Sequence, residues 1–554
     1  MTRSTFAILL SFAIPFGCWA QTAPTREQAL AAMKKAATFY VEKVSPHGGY
    51  HYSYAEDLSY GRSEHGEGMS QIEVQREATP IVGMTFLEAF DATGDRYYLE
   101  AARKAAASLV AGQLCTGGWD YLIEFDPARR KRYPYRTEHD CASSTVPATP
   151  PTTLDDNVSQ AATRLLMRVD KALAFKDAAI HEAALYALNQ LMRAQYPNGA
   201  WPQRYTKFPD PAKHPVKQAS YPDTWSRKWP GEIYKEHYTF NDNSISDDID
   251  MMLEAARIYD DKRYLDSALK GGGFLLLAQM PDPQPAWAQQ YDVDMHPAWA
   301  RLFEPPSVTG GESQGIVRTL MVLYRETGDR KYLDPVPRAL GWLEKSVLPE
   351  TANPSEHRRR LRGAPALARF YELQTNRPLY ITKGTQIRAA QLGSARIDGY
   401  ELSYDDGSVI THYGVLTSGA DLPAIRKEYD RVRAADPSKL RRPDKLHGLS
   451  PWSSGDRSPI DRKVTGEAVR KMVDGMDSRG AWLEDGIIGK ADQIVSVFAA
   501  RPMVLTINGR PIEINENDTI QLFQGTQPPR TRIIRSATFT RNLLTLAAYV
   551  NKGR

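Results

Sequence analysis

Cysteine is nearly absent: three in 554 residues, too few for a disulfide-stapled scaffold. Charge of one sign is missing as well. Seventy basic against 66 acidic residues leave a net +4 and no general nucleic-acid footprint, so no nucleic-acid partner is expected. Two basic runs, RRKRYPYR at 129–136 and HRRRLR at 357–362, read as solvated faces. Beyond the opening segment no apolar run is long enough to span a membrane. What is present suits a globular chain, neither disordered nor fibrous: 42% hydrophobic, 10% aromatic and 25% charged residues, enough to bury one large core or two ordinary ones.

The opening MTRSTFAILLSFAIPFGCWAQ carries Arg3, an apolar stretch from Phe6 to Phe16 and a small-residue site ending at Ala20. That pattern reads as a cleaved secretory signal over 1–20, which implies a periplasmic or secreted protein. Cys18 is no lipid anchor, because Pro15 and Phe16 stand where a lipobox wants small or aliphatic residues. After cleavage Cys115 and Cys141 remain, free to close one bridge in an oxidising compartment or to stay as thiols.

A repeat runs through the middle of the chain. TGDRYYLEAARKAAASLVAGQLCTGGWDY (93–121) is echoed by DDKRYLDSALKGGGFLLLAQMPDPQPAWAQQY (260–291), while 184–205 matches its second half and 327–346 its first. The shared unit is DRxYL, a helix, then Gln, a turn and an aromatic residue. Upstream of each unit lies another helical pattern, at 79–92, 159–173, 244–259 and 313–326, with apolar residues three and four apart. Helices paired in this way from about 26 to 380 predict an all-α fold, an incomplete α/α toroid of helical hairpins whose inner helices line a funnel. Gln113, Gln195 and Gln279 are read as satisfying backbone groups at helix ends while Trp119, Trp201 and Trp287 pack across the turns. The rival reading makes those tryptophans a platform for sugar rings.

Two acidic knots precede inner-type helices: TLDDNVSQ at 153–160 and TFNDNSISDDID at 239–250. Helix capping accounts for one residue of each, Asp156 or Asn157 and Asn243 or Ser244. It leaves the adjacent Asp155 and Asp156, and Asn241 and Asp242 with Asp247, Asp248 and Asp250. Neighbouring carboxylates repel, and hard oxygen donors gathered like this suit Ca2+. A third segment, PPSVTGGESQGIVRTLM at 305–321, places Arg318 six residues after Glu312, off its helical face. Arg318 either pairs with a neighbouring helix or an acidic knot, or faces the funnel.

These motifs, with ARFYELQTNRPLY further on, resemble in order and spacing the pectic acid lyases, the α/α-toroid pectate lyases of polysaccharide lyase family 10, over about residues 70 to 383. The resemblance implies a Ca2+-assisted β-elimination on polygalacturonate or another uronic-acid polymer. It assigns Asp155, Asp156 and Asp242 to the metal and substrate-carboxylate environment, Arg318 to the base and Arg369 to the substrate carboxylate; Arg377, Lys383, Asn241 and Tyr238 are read as further substrate contacts, with Lys383 or Arg377 next in line for the base. The chain departs from the family beyond TNRP: LYITKGTQIR stands where many relatives carry another arginine, leaving Lys383 or Arg388 to replace it.

The remaining 384–554 reads as a mixed α/β extension packed on a toroid that spans 21–383. It shows strand-like alternation, a hairpin turn at Asn508-Gly509 and a final amphipathic helix. His412 and Tyr413 are within conceivable reach of the funnel. A monomer acting on an acidic polysaccharide or oligosaccharide is expected. Two other classes fit the same residues: a toroid glycoside hydrolase using two carboxylates, and a non-catalytic uronide-binding protein.

Overall fold

The computed structural model describes residues 23–45, 47–231, 234–301, 303–351, 354–383, 395–404, 406, 416–441, 458–488, 493–498, 502–507, 510–514, 518–524 and 529–551. The opening residues 1–20, read as a signal, with Arg388, His412, Tyr413 and the turn residues Asn508 and Gly509, lie outside them.

Fifteen α-helices occur among the described residues. They are α1 (Arg26–Phe39), α2 (Thr79–Thr93), α3 (Arg96–Ala111), α4 (Pro127–Arg130), α5 (Val158–Ala172), α6 (Ala178–Ala194), α7 (Ser244–Tyr259), α8 (Lys262–Leu277), α9 (Glu312–Thr327), α10 (Val336–Lys345), α11 (Glu356–Arg360), α12 (Leu422–Ala434), α13 (Pro437–Leu440), α14 (Gly466–Asp474) and α15 (Ser536–Asn551). The four patterns expected upstream of the DRxYL units are α2, α5, α7 and α9, each within two residues of its expected ends.

The aspartate that opens each outer segment proves to be a helix start. Asp95, Asp177 and Asp261 accept from backbone N–H groups in the first turns of α3, α6 and α8, and Asp329 does the same for the 3-10 turn Arg330–Tyr332 that leads into α10. Each such cap contributes about 1 kcal/mol. Just before two of these caps, Gly94 and Gly328 close the preceding inner helix in left-handed backbone, φ 73° and 71°, which a glycine adopts without a Cβ clash.

Packing then orders the pairs. The hairpins α2/α3, α5/α6, α7/α8 and α9/α10 stand side by side, with α2, α5, α7 and α9 meeting in sequence on the inside and α3, α6 and α8 on the outside. Inner helices are buried nearly all round: α7 buries Ile245, Ile249, Met251, Met252 and its polar residues alike. The chain is thus an incomplete α/α toroid. The C-terminal helix α15 takes an inner position against α2, with α1 packed outside it and Phe539 stacked on Tyr40 at 3.6 Å. At the far end α12 lies against α9 and α10.

Strands are short within the ring. Thr152–Thr153 pairs with Arg204–Tyr205, Tyr238–Thr239 with Gln290–Tyr291, and Val308–Thr309 with Phe370–Tyr371, so each entry to an inner helix is bound to the turn that follows the next outer helix. The tail adds Ala395–Ser403, Gln493–Phe498 and Asp518–Gln524 to Pro378–Lys383, Phe370–Tyr371 and Val308–Thr309 in one six-stranded sheet, a hairpin of Met503–Ile507 with Arg510–Ile514, and the strand Thr531–Arg535, which pairs with Ser53–Ala55. Cys115 and Cys141 form a disulfide. No helix among the described residues is long and apolar enough to cross a membrane.

The tryptophans settle as packing. Trp119, Trp201 and Trp287 are at most 1% exposed, and their ring N–H groups donate to Leu109, Leu191 and Leu275 carbonyls at 2.8, 2.9 and 2.8 Å. Gln113, Gln195 and Gln279 each donate to two backbone carbonyls, one in their own turn and one on the neighbouring hairpin. A sugar platform at these three positions is therefore excluded.

Candidate active site

The two acidic knots are one structure built twice. Each forms a 3-10 turn, Asp155–Asn157 and Asn241–Asn243, between a two-residue strand and an inner helix. In both, two successive residues take left-handed angles: φ is 52° at Asp156 and 56° at Asn157, 51° at Asp242 and 61° at Asn243. Asp and Asn tolerate that region because their short polar side chains bond locally, which explains the residue types. Neither Asn157 nor Asn243 caps its helix through the side chain, so capping does not explain the knots.

What the turns accomplish is a meeting of carboxylates at the inner-helix N-termini. One oxygen each of Asp155, Asp156 and Asp242 lies within 4.8 Å of the others, an arrangement able to hold a metal ion. Asp155 Oδ1 is buried and has no hydrogen-bond partner. The Tyr121 hydroxyl donates to Asp156 Oδ2 at 2.9 Å and accepts from Arg204, whose Nη2 also reaches Asp155 Oδ2 at 3.2 Å. Asn241 Nδ2 donates to Asp242 Oδ2 at 2.6 Å. Burial, reinforced by the charges of Asp155 and Asp156, pushes the Asp242 carboxyl up to about 7 against the pull of Arg369. Burial and then Asp155 raise Asp156 too. Without a cation, therefore, the group repels itself.

Arginines border it. Arg369 Nη2 lies 3.0 Å from Asn241 Oδ1, 3.1 Å from Gln289 Oε1 and 3.3 Å from Glu312 Oε1. Its place in the repeat is informative. The backbone carbonyls of Gln203, Gln289 and Arg369 accept equivalent bonds from Leu154, Phe240 and Gly310, so a position that is glutamine in two repeats becomes a cation in the third. Arg301 forks onto the buried Glu304, at 2.8 and 2.6 Å. Burial alone would raise Glu304, but that fork and Arg369 hold it below its ordinary value. The loop that carries Arg301 leads to the strand Val308–Thr309 and from there to the start of α9.

Two cavities share Asp242 and Asn243. One, of about 510 Å³, is lined by Asp156, Arg76 and Arg535 among others, and the second, of about 260 Å³, by Glu312, Arg369 and Thr417. Together they make a trough across the carboxylate group.

The remaining acids of the second knot do not face this trough. Asp247 accepts from Asn157 Nδ2 at 2.7 Å, tying α7 to the first knot. Asp250 and Glu254 enclose the fully buried Arg164 at 2.7 and 3.2 Å. Burial, then Asp247, raises the Asp248 carboxyl well above its ordinary value. Helical periodicity carries these residues below the mouth, into the inner-helix packing.

Of the residues that sequence singled out, Asp155, Asp156, Asp242, Asn241 and Arg369 come together. Arg318 does not. Its Nη2 pairs with Asp421 Oδ2 at 2.8 Å, and one heptad on Arg325 pairs with Glu428, so both arginines lie on the α12 side of α9. Tyr238 is 1% exposed and packed between Tyr196 and Phe274, its hydroxyl against His214; it is a core residue and not a substrate contact. Arg377 lies over the Tyr404 ring at 3.4 Å, outside both cavities. Lys383 ends the strand Pro378–Lys383, and its side chain is outside the described residues. Sequence reading missed Tyr121, Arg204, Gln289 and the Arg301–Glu304 fork. Aligning QRY at 203–205 with QQY at 289–291 would have exposed Arg204 as the departure from the repeat.

The chain is a helical toroid with an acidic, arginine-bordered mouth. The sequence model of the pectic acid lyase family matches residues 134–411, half of the chain, and the chain belongs to that family. It is a pectate lyase-like polysaccharide lyase acting on uronides. No curated protein matches the chain. Among solved structures, it is similar to a family 10 polysaccharide lyase mutant from Cellvibrio cellulosa in complex with trigalacturonic acid, at 20% identity over 62% of this chain and 98% of that one, TM-score 0.40. A family 10 lyase from the same organism is similar at 22% identity over 52% and 84%, TM-score 0.36. A family 76 α-mannanase of Bacteroides thetaiotaomicron is similar at 10% identity over 96% and 95%, TM-score 0.37.

Proposed function

We propose that the enzyme cleaves polygalacturonate by calcium-assisted β-elimination, outside the cytoplasm. The observation that carries this reading is the convergence of three carboxylates with Arg369 at the mouth of the ring. Asp155, Asp156 and Asp242 would hold the ion, and the unpartnered Asp155 Oδ1 is an atom it would satisfy. Hard oxygen donors in loose geometry suit Ca2+. When bound, the ion supplies positive charge that neutralises the uronate carboxylate and so acidifies the proton on C5.

The chain's own residues do the rest. Arg369 orients the substrate carboxylate and stabilises the charge that builds on it as the C5 proton leaves. That proton passes to an arginine, the C5–H electron pair forms the C4–C5 double bond, and the C4–O bond breaks with its pair leaving on oxygen. Family resemblance puts the base at Arg318, but Arg318 is engaged by Asp421 on the α12 side of its helix. We therefore assign the base to Arg301, which the buried Glu304 holds in one orientation in the loop that leads to the strand Val308–Thr309 and the start of α9. An arginine serves as a base only in its neutral form, which nearby cations favour and the Glu304 carboxylate opposes.

Oxygens of three acids within 4.8 Å of one another suit a shared cation, where a hydrolase sets two carboxyls about 5–5.5 Å apart to retain configuration or about 6.5–9.5 Å apart to invert it. Export is supported by the signal pattern at 1–20 and by the Cys115–Cys141 bridge, of a kind that persists outside the cytoplasm. Mass determination of the mature N-terminus tests it; a chain that retains residues 1–20 rules it out. For the activity, purified protein is incubated with polygalacturonate with and without a calcium chelator. Near-ultraviolet absorbance from a 4,5-unsaturated product should appear and should vanish on chelation. New reducing ends without that absorbance mark a hydrolase, and no turnover on any uronide marks a binding protein.

A further inference from the structure

We propose that the C-terminal segment supplies a second uronate subsite, in which Arg535 with Arg76 receives a carboxylate of the substrate one or more sugars away from the carboxylate group. This rests on the reading of the protein as a uronide lyase. A polyuronate carries a carboxylate on every ring, so a chain laid along the trough presents further negative charges beyond the one at Arg369. Arg369 stands in the smaller cavity; at the opposite end, in the cavity of about 510 Å³, the guanidiniums are Arg76 and Arg535. Asp156 and Asp242 line that same cavity.

Arg535 is built into place. It ends the strand Thr531–Arg535, opposite Ser53, with Ile533 and Ile534 buried behind it. The next residue, Ser536, is fully buried; its N–H donates to the Tyr52 carbonyl at 3.0 Å and its hydroxyl to the His51 carbonyl at 2.5 Å. Gly486 on the adjacent strand makes room chiefly for Ile533, 2.3 Å from where a Cβ would stand, with Arg535 Nη2 next at 3.1 Å. Glu484 pairs with the guanidinium from one side, as Glu77 does with Arg76. Planar guanidiniums held in this way suit bidentate recognition of a carboxylate. Glu64 also lines the cavity, and its charge opposes the same ligand.

The test measures KM and kcat for Arg535→Ala on galacturonate oligomers of increasing length, with binding of a saturated oligomer by calorimetry under chelation. Beyond the length that first spans the cavity, KM and the dissociation constant should rise about tenfold, as expected for losing one charge-assisted contact, with the loss falling on KM and not kcat. Arg535→Lys should recover part of it, and Glu64→Gln should lower KM. Arg530→Ala, which removes an exposed arginine of the same segment paired with Asp485, is the control and should leave KM where it was. A KM shift that is absent at every length, or one that only follows a drop in melting temperature, overturns the subsite. If the wild-type protein binds oligomers without forming unsaturated product, the lyase reading falls while the Arg535 binding loss still decides the subsite. If it neither binds nor cleaves, both fall.

Discussion

The Gln–turn–Trp units and the acidic turns sit at the same end of the ring, where each outer helix stops and the next inner helix starts, and both recur with the repeat. They differ in what is left over. Every tryptophan N–H and glutamine amide N–H donates to a backbone carbonyl, in the same way in three copies. At the acidic turns the backbone is just as regular, yet Asp155 Oδ1 lacks a partner and Asp242 is pushed up to about 7 by its burial and its neighbours. A repeated residue whose polar groups are met inside the repeat belongs to the fold. One whose groups collide with those of the next repeat needs something from outside.

Substitutions should separate the two regions. Trp201→Ala should cost about 3–5 kcal/mol of stability, the range for emptying a buried tryptophan site, while the protein that remains folded keeps its kcat; denaturant melts with parallel rate measurements check this. Asp242→Asn should do the reverse. Turnover should fall by at least about a hundredfold while the metal-free melting temperature holds or rises, because a repelling charge is gone. A destabilised Asp242→Asn would return the acidic turns to the fold.

The arginines sharpen the contrast at the next level. Arg301→Lys should lower kcat by about a hundredfold or more, the lower end of what losing a general base costs, with folding retained. Arg318→Lys should keep most of kcat, since it alters only an exposed pair with Asp421 worth about 0–1 kcal/mol. The opposite outcome would restore Arg318 as the base. Arg369→Ala should act mainly through KM.

A smaller effect concerns Asp247, which links the two turns through Asn157. Burial raises its carboxyl from 3.8 to about 7, so the folded state holds the proton more tightly than the unfolded chain. The stabilisation is complete below about pH 4 and is lost as pH rises through about 7. Asp247→Asn should flatten the stability–pH curve of the chelated protein in that window, and an unchanged slope would mean that Asp247 is ionised throughout.

Much of this was legible in the sequence because it is local. The three-and-four spacing placed the inner helices, and the Asp-Asn pairs before them marked the turns. The partners of the charged residues were not legible, because they come from far along the chain. Arg164 meets Asp250 and Glu254, 86 and 90 residues away, and Asn157 meets Asp247, 90 residues away, which draws two of the second knot's acids from the mouth. Arg318 is six residues from Glu312, and its partner Asp421 lies 103 residues on, in a segment read only as an extension. Arg301 is a single residue in a loop, with no periodicity to mark it.

The central claim is that the paired acidic turns jointly hold one calcium ion. Calorimetric titration of calcium into chelator-stripped protein tests it most directly, comparing wild type with Asp156→Asn and Asp242→Asn. The account predicts a single ion per wild-type chain and loss of that binding when either turn is changed. Undiminished calcium binding in both variants, or none in the wild type, would contradict it.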